Sequence, residues 1–223
     1  MIIRLLSLLC FSFIACNNPT NKPQEESKRF LALGDSYTIG ESVEINKRWP
    51  VQLVNRLNAM NIPFDPPTIV AKTGWTTDEL IAAIEITTLE EPYDYVSLLI
   101  GVNNQYRGRS VEEFRTQFIE LLERAIAYAN GNEKHVFVLS IPDWGVTPFA
   151  VSRDSAQIAL EIDAFNQVIA LECAARNISY FDITPISRRA PEQPELVAAD
   201  GLHPSDQMYA LWVNELIPFF NHN

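Results

Sequence analysis

The residues best suited to chemistry in this sequence are a serine near one end and a histidine near the other. Ser36 closes the run Gly34-Asp35-Ser36 directly after an apolar stretch of strand length, and His203 closes the segment Asp200-Gly-Leu-His203. A serine hydroxyl is a poor nucleophile at neutral pH and needs an imidazole to accept its proton. The pair therefore predicts nucleophilic catalysis of the hydrolase type, with Ser36 as nucleophile and His203 as general base.

His203 is chosen over the other histidines because of its setting. His135 opens an apolar run and is placed at the start of a strand, whereas His222 is the penultimate residue of the chain. His203 lies in a loop, and Asp200 three residues earlier can bond its Nδ1, which leaves Nε2 as the base and stabilises the imidazolium. Taken alone, the same segment also fits a solvated surface loop.

The elements that position these residues alternate between short apolar runs and amphipathic stretches. This order predicts an α/β fold with a parallel sheet and helices on both faces. The predicted strands are Arg29 to Leu33, Thr68 to Ala71, Tyr95 to Ile100, Val136 to Ile141 and Ser179 to Phe181. The predicted helices are Lys47 to Met60, Thr77 to Ile84, Val111 to Ala129, Asp154 to Arg176 and Gln207 to Phe219.

Ligands bind outside the carboxyl ends of the strands in such sheets, and the notable loops all follow strands. Ser36 follows the first strand, Gly74 the second, Asn103 the third, and the segment ending at His203 the fifth. The oxyanion of an acyl-transfer intermediate needs fixed donors. We expect these donors to be the N–H groups of Ser36 and Gly74 and the side-chain amide of Asn103. Individually, Gly74 also fits a turn glycine before a capped helix, and Asn103 an Asx turn.

Composition limits the partners of the chain. Its 223 residues carry a formal net charge of −11, which argues against nucleic acid and against electrostatic adhesion to anionic lipid. No Cys/His spacing typical of zinc and no glycine-rich phosphate loop occurs, so we expect no metal and no cofactor.

The first residues have the features of a bacterial export signal. A positive start and a short apolar centre predict a signal peptide over residues 1–15, and the run Phe13-Ile-Ala-Cys16 resembles a lipobox with lipid on Cys16. A polar tether over residues 16–28 and a single domain over residues 29–223 would follow. The expected location is the bacterial cell envelope, with membrane attachment through the lipid, and Cys173 is expected to be a buried structural thiol.

The ordered combination of Gly34-Asp35-Ser36, Gly74, Asn103 and Asp200-x-x-His203 resembles the SGNH branch of the GDSL esterase and lipase family. This resemblance covers about residues 30–204. It implies a three-layer flavodoxin-like, doubly wound sheet of five parallel strands and a Ser-His-Asp triad that cleaves carboxylic esters. Two positions depart from the family pattern, because Tyr37 replaces a frequent leucine and Asn104 stands where many members have Asp.

Substrate contacts are expected from residues beside the catalytic loops. The expected residues are Asp35, Tyr37, Trp75, Asn104 and Trp144. Aromatic side chains in these loops, including Tyr106 and Phe149, suit stacking on a sugar, lining of an acyl channel, or plain packing. A sugar acetate, a lysophospholipid and a thioester all remain open as substrates. The rival from another class is a lipid-anchored glycan-binding protein without turnover, for which a base aimed at Ser36 would serve no purpose.

Overall fold

The computed structural model describes residues 26–220. These residues form a single parallel sheet with helices around it. Its strands are β1 (Phe30–Gly34), β2 (Thr68–Ala71), β3 (Tyr95–Leu99), β4 (Val136–Leu139) and β5 (Ser179–Phe181). Every neighbouring pair is parallel, in the order β2-β1-β3-β4-β5. The α/β fold class and the five predicted strands are confirmed, with small differences at the strand ends.

The strands at the centre of this sheet are buried along their whole length. All residues of β1, β3 and β4 are buried, as expected for a parallel sheet that helices cover on both faces. The chain passes from β1 to β2 on one side and then returns to β3 on the other. The strand order therefore reverses at β1, where open α/β sheets bind their ligands.

Eight α-helices surround the sheet in the described part of the chain. They are α1 (Ser36–Ile39), α2 (Trp49–Ala59), α3 (Thr77–Ile86), α4 (Val102–Tyr106), α5 (Val111–Tyr128), α6 (Ser155–Ala175), α7 (Thr184–Ser187) and α8 (Asp206–Phe220). Helix α2 packs against α8, and α5 packs against both α3 and α6. The five long helices are confirmed. The short helices α1, α4 and α7 were not predicted, because four or five residues are too few to display a helical period.

The amino ends of the strands lie away from the predicted site. His135 ends a 3-10 turn directly before β4, and its ring stacks on Tyr95, the first residue of β3, with ring centroids 5.0 Å apart. His135 therefore lies at the opposite edge of the sheet from the loops that follow the strands, as predicted. No helix among residues 26–220 is long and apolar enough to cross a membrane.

Of the two predicted cysteine roles, only that of Cys173 falls within the described residues. Cys173 is fully buried, and burial raises the pKa of its thiol to about 12, which agrees with a structural role. Cys16, the signal segment 1–15, most of the tether and His222 lie outside the described residues.

Candidate active site

Ser36 lies at the sharp turn between β1 and α1. The carboxylate of Asp35 caps the helix, since its Oδ1 accepts the N–H of Tyr37 at 3.0 Å. A side chain at Gly34 would overlap both the hydroxyl of Thr38 and the carbonyl oxygen of Leu99. Only glycine therefore lets the turn pack this tightly against the end of β3, and this packing fixes the position of Ser36.

Asp35 lies beneath the turn rather than in contact with a substrate. Its side chain is fully buried, and its Oδ2 has no hydrogen-bond partner among residues 26–220. Burial raises the pKa of this carboxyl to about 7, although donation from the Tyr37 N–H opposes the shift. Asp35 does not line the cavity described below, so its role is that of a helix cap and not the expected substrate contact.

His203 and Asp200 form the hydrogen-bonded pair that the sequence predicts. Nδ1 of His203 lies 2.6 Å from Oδ2 of Asp200, while Oδ1 accepts the backbone N–H groups of Leu202 at 2.9 Å and His203 at 3.0 Å. Partial burial disfavours the carboxylate, but the hydrogen bonds from Ser42, the His203 ring and these N–H groups outweigh it and lower the pKa of Asp200. An ionised Asp200 holds the Nδ1 proton and leaves Nε2 as a proton acceptor.

One cavity of about 200 Å³ joins residues from both ends of the chain. Its lining residues are Ser36, Tyr37, Thr73, Gly74, Val102, Asn103, Tyr106, Trp144, Phe149, Leu202 and His203. Four larger concavities, of about 390, 420, 350 and 280 Å³, contain none of the four residues Ser36, Gly74, Asn103 and His203. The four loops that the sequence places at one sheet edge do converge.

Ser36 and His203, the predicted nucleophile and base, line one cavity without a direct hydrogen bond between their side chains. Ser36 Oγ has no hydrogen-bond partner in the part of the chain that the structure describes, although Ser36 and His203 line the same cavity. Catalytic hydrogen bonds of this type are often long in a protein without substrate and shorten in the complex.

The expected oxyanion donors lie at the carboxyl ends of three adjacent strands. Gly74 has a φ of +86°, a conformation that favours glycine, and its N–H donates to no acceptor among residues 26–220, nor does that of Ser36. Asn103 Nδ2 donates to the carbonyl oxygen of Trp75 at 2.9 Å. An amide nitrogen carries two hydrogens, so a second one remains for an oxyanion.

Asn104 has a structural role in place of the expected substrate contact. It is fully buried, its Oδ1 accepts the Thr77 N–H at 3.0 Å, and its Nδ2 donates to the Thr77 hydroxyl at 2.7 Å. Trp75 packs partly buried against the core and does not line the cavity, so the expectation for it is also not met. Tyr37 and Trp144 do line the cavity.

Three aromatic rings form one wall of the cavity. The ring centroids of Tyr106, Trp144 and Phe149 lie 5.3 to 6.4 Å apart. Trp144 is buried and donates its indole N–H to Gln105 at 2.7 Å, whereas Tyr106 and Phe149 are nearly half exposed. The buried end of the wall is therefore rigid, and the exposed rings flank the entrance.

Two further contacts were not anticipated from the sequence. Ser42 Oγ donates to Oδ2 of Asp200 at 2.6 Å, and Arg107 Nη2 donates to the carbonyl oxygen of Gly74 at 2.6 Å. Neither residue belongs to a recognisable motif, so the sequence offered no signal for them. Among residues 26–220, no group of three or more His, Cys, Asp or Glu side chains is arranged to hold a metal ion.

Three solved structures of similar fold are distant in sequence from this chain. TesA superimposes with a TM-score of 0.69 at 18% identity, over 86% of this chain and 98% of that chain. A lipase/acylhydrolase from Enterococcus faecalis gives 0.66 at 19% identity, over 86% and 94%. Axe2, an acetylxylan esterase from Geobacillus stearothermophilus, gives 0.67 at 16% identity, over 90% and 97%. No curated protein sequence matches the chain.

The family assignment depends on the sequence itself. The model of the GDSL-like lipase/acylhydrolase family matches residues 32–211, which include Ser36, Gly74, Asn103, Asp200 and His203. This match extends over most of the chain and supports carboxylic ester hydrolysis. The chain belongs to the GDSL-like lipase/acylhydrolase family.

Proposed function

We propose that this protein hydrolyses carboxylic esters through a covalent acyl-enzyme formed on Ser36. The observation that carries the proposal is the His203–Asp200 pair beside Ser36 in one cavity. His203 Nε2 takes the proton as Ser36 Oγ attacks the ester carbonyl carbon, and the imidazolium then protonates the alkoxide that leaves. Water attacks the acyl-enzyme in the second half, with His203 again as base, and releases the acid.

The tetrahedral intermediate carries a negative oxygen in both halves of this reaction. The N–H groups of Ser36 and Gly74 and the remaining amide hydrogen of Asn103 are its donors in the proposal. Their support is that these N–H groups have no other acceptor among residues 26–220. Donors fixed in advance need no reorganisation as the charge develops.

The proposed substrates are esters with a small acyl group. The cavity has a volume of about 200 Å³, and six of its lining residues have aliphatic or aromatic side chains: Tyr37, Val102, Tyr106, Trp144, Phe149 and Leu202. Of the three candidate compounds, a sugar acetate, a lysophospholipid and a thioester, this small volume favours the acetate. A panel of acetylated glycans, lysolipids and acyl thioesters, assayed side by side, separates them.

The direct test is labelling with a fluorophosphonate followed by peptide mass analysis. We expect the label on Ser36, and none in Ser36→Ala. Turnover of an aryl acetate should fall by about a thousandfold or more in Ser36→Ala and His203→Ala. Matched controls are Ser152→Ala, an exposed serine, and His135→Ala at the other end of the sheet, and both should retain activity.

The rival function is glycan binding without turnover. It would be favoured if the wild type bound acetylated glycans, released no acetate and left Ser36 unlabelled. Equal turnover in the wild type and Ser36→Ala would also reject the esterase mechanism.

We also propose that the mature protein is a lipoprotein of the bacterial cell envelope. The support is the segment Phe13-Ile-Ala-Cys16 after a short apolar run. Radiolabelled fatty acid should enter the wild type and not Cys16→Ser. Equal incorporation in both proteins would reject the lipid anchor and leave the esterase proposal unaffected.

A further inference from the structure

The turn that follows the nucleophile helix places a hydroxyl against the triad carboxylate. Gly40 caps the carboxyl end of helix α1, and the N–H groups of Gly40 and Glu41 both donate to the carbonyl oxygen of Ser36 at 3.0 Å. Val43 N–H then donates to the carbonyl oxygen of Gly40 at 3.2 Å and closes the turn. Ser42, inside this turn, is therefore held in fixed relation to the nucleophile.

Ser42 adopts a backbone conformation that L-residues rarely take. Its φ is +62°, in the left-handed region that favours glycine and, among other residues, asparagine. The serine side chain is exposed, so burial of its methylene does not compensate for this conformation. Its contribution to the described structure is one hydrogen bond, from Oγ to Oδ2 of Asp200, 158 residues away.

This hydrogen bond completes the set of donors around the Asp200 carboxylate. Oδ1 accepts the N–H groups of Leu202 and His203, and Oδ2 accepts Ser42 Oγ and His203 Nδ1, both at 2.6 Å. The Asp200 side chain is 30% exposed. Without Ser42, the His203 ring would be the only remaining donor to Oδ2 among these groups, and water would compete for that oxygen.

The same turn also reaches the loop that carries Gly74. The hydroxyl of Thr73 donates to the carboxylate of Glu41, the residue before Ser42. Residues 40–43 thus connect the nucleophile helix to two other catalytic loops. Of these two contacts, only that of Ser42 falls on a member of the triad.

We propose that Ser42 is a positioning residue for catalysis: its hydroxyl fixes the Asp200 carboxylate, and through it the orientation of the His203 ring toward Ser36. This inference depends on the esterase function proposed above. Ser42 does not line the cavity that contains Ser36 and His203, so it acts only through Asp200. Its loss should reduce kcat and leave KM nearly unchanged.

The test compares Ser42→Gly with Ser42→Ala, because the two variants separate the hydroxyl from the backbone. Both remove the donor, but glycine relieves the positive φ whereas alanine keeps it. We expect Ser42→Gly to melt no lower than the wild type, and Ser42→Ala to melt below Ser42→Gly. We expect kcat to fall about tenfold in both, the effect of one charge-assisted hydrogen bond partly lost.

The comparison of kcat with melting temperature in the two variants distinguishes a positioning role from a purely structural one. If Ser42 only stabilised the turn, activity would follow melting temperature and Ser42→Gly would be as active as the wild type, which would overturn the proposal. A second readout is the low-field proton resonance of the His203 Nδ1–H bonded to Asp200. It should change position in both variants and stay unchanged in the control Ser152→Ala. An unchanged resonance in Ser42→Gly would equally reject the proposal.

Failure of the proposed function would have a different signature. If the wild type neither turns over aryl acetates nor is labelled at Ser36, both the esterase function and the role of Ser42 are rejected. If the wild type is active and labelled while Ser42→Gly keeps full kcat, only the positioning role is rejected.

Discussion

Arg107 Nη2 donates a hydrogen bond to the carbonyl oxygen of Gly74, with 2.6 Å between the two atoms. Arg107 follows helix α4, the helix that carries Asn103, and Gly74 lies in the turn after β2. The bond therefore joins two of the three proposed oxyanion donors. Holding the carbonyl of Gly74 restricts rotation about the backbone bonds on either side of its Cα atom. The direction of its N–H is therefore more closely fixed.

We predict that Arg107→Ala lowers kcat about tenfold for an aryl acetate, since a loosened Gly74 donor stabilises the oxyanion less well. The matched control is Glu79→Gln. Glu79 is the ion-pair partner of Arg107 at 3.3 Å, and Gln keeps the acceptor for the Thr76 N–H. Steady-state kinetics of both variants would check this, and a similar loss of kcat in Glu79→Gln would assign the effect to the ion pair instead.

A second prediction separates the neighbouring asparagines. Asn103→Ala should lower turnover by about a hundredfold, because it removes one of the proposed oxyanion donors. Asn104→Ala should instead lower the free energy of unfolding by about 2 to 3 kcal/mol, because a buried side chain loses both of its hydrogen bonds to Thr77. Urea unfolding and kinetics on both variants measure the two effects. Equal stability losses would contradict the assignment of Asn104.

The third prediction concerns Asp35 and the pH dependence of stability. Its pKa is raised from 3.8 to about 7 in the folded protein, so the native state holds the proton more tightly than the unfolded chain. The stability contributed by protonated Asp35 is full below pH 3.8, is lost as pH rises, and is gone above about pH 7. The loss is on the order of 4 kcal/mol.

Asp35→Asn should therefore be more stable than the wild type at pH 8. Its stability relative to the wild type should be much lower at pH 4.5. Asparagine keeps the oxygen that accepts the Tyr37 N–H but has no ionisable proton. Denaturant unfolding of both proteins at the two pH values isolates this group, because all other titrations cancel in the difference. A stability difference that does not change with pH would show that Asp35 does not titrate as described.

The fourth prediction concerns the aromatic wall. If the acyl chain lies against Phe149 and Trp144, kcat/KM should rise about threefold to fourfold for each methylene added to an aryl acetate until the cavity is full. Phe149→Ala should flatten this rise and leave acetate turnover nearly unchanged. A series of p-nitrophenyl esters measures it. A chain-length profile identical in both proteins would place the acyl chain elsewhere.

The strands and the edge of the sheet that holds the site could be predicted from the sequence, because they follow from local patterns. Short β-branched or apolar runs predicted all five strands, and parallel strands bring the residues after Gly34, Ala71 and Leu99 to one edge. The roles of Asp35, Trp75 and Asn104 were not predicted correctly. Proximity to a motif does not determine which side chain faces the cavity, and the burial of Asn104 depends on where Thr77 packs.

No local sequence pattern predicts the contacts of Ser42 and Arg107. Ser42 and Asp200 are 158 residues apart, and the positive φ of Ser42 depends on how the turn after Gly40 closes. Such contacts become visible only when the loops are assembled on the sheet.

The glycine that opens the Gly34-Asp35-Ser36 run is required by sterics, since any Cβ there would overlap the carbonyl oxygen of Leu99 on the adjacent strand. This requirement would persist in a relative that had lost its nucleophile. Gly34 is therefore a marker of how closely two strands approach, and a chain that retains this glycine with another residue at position 36 would keep the architecture while having no ester chemistry.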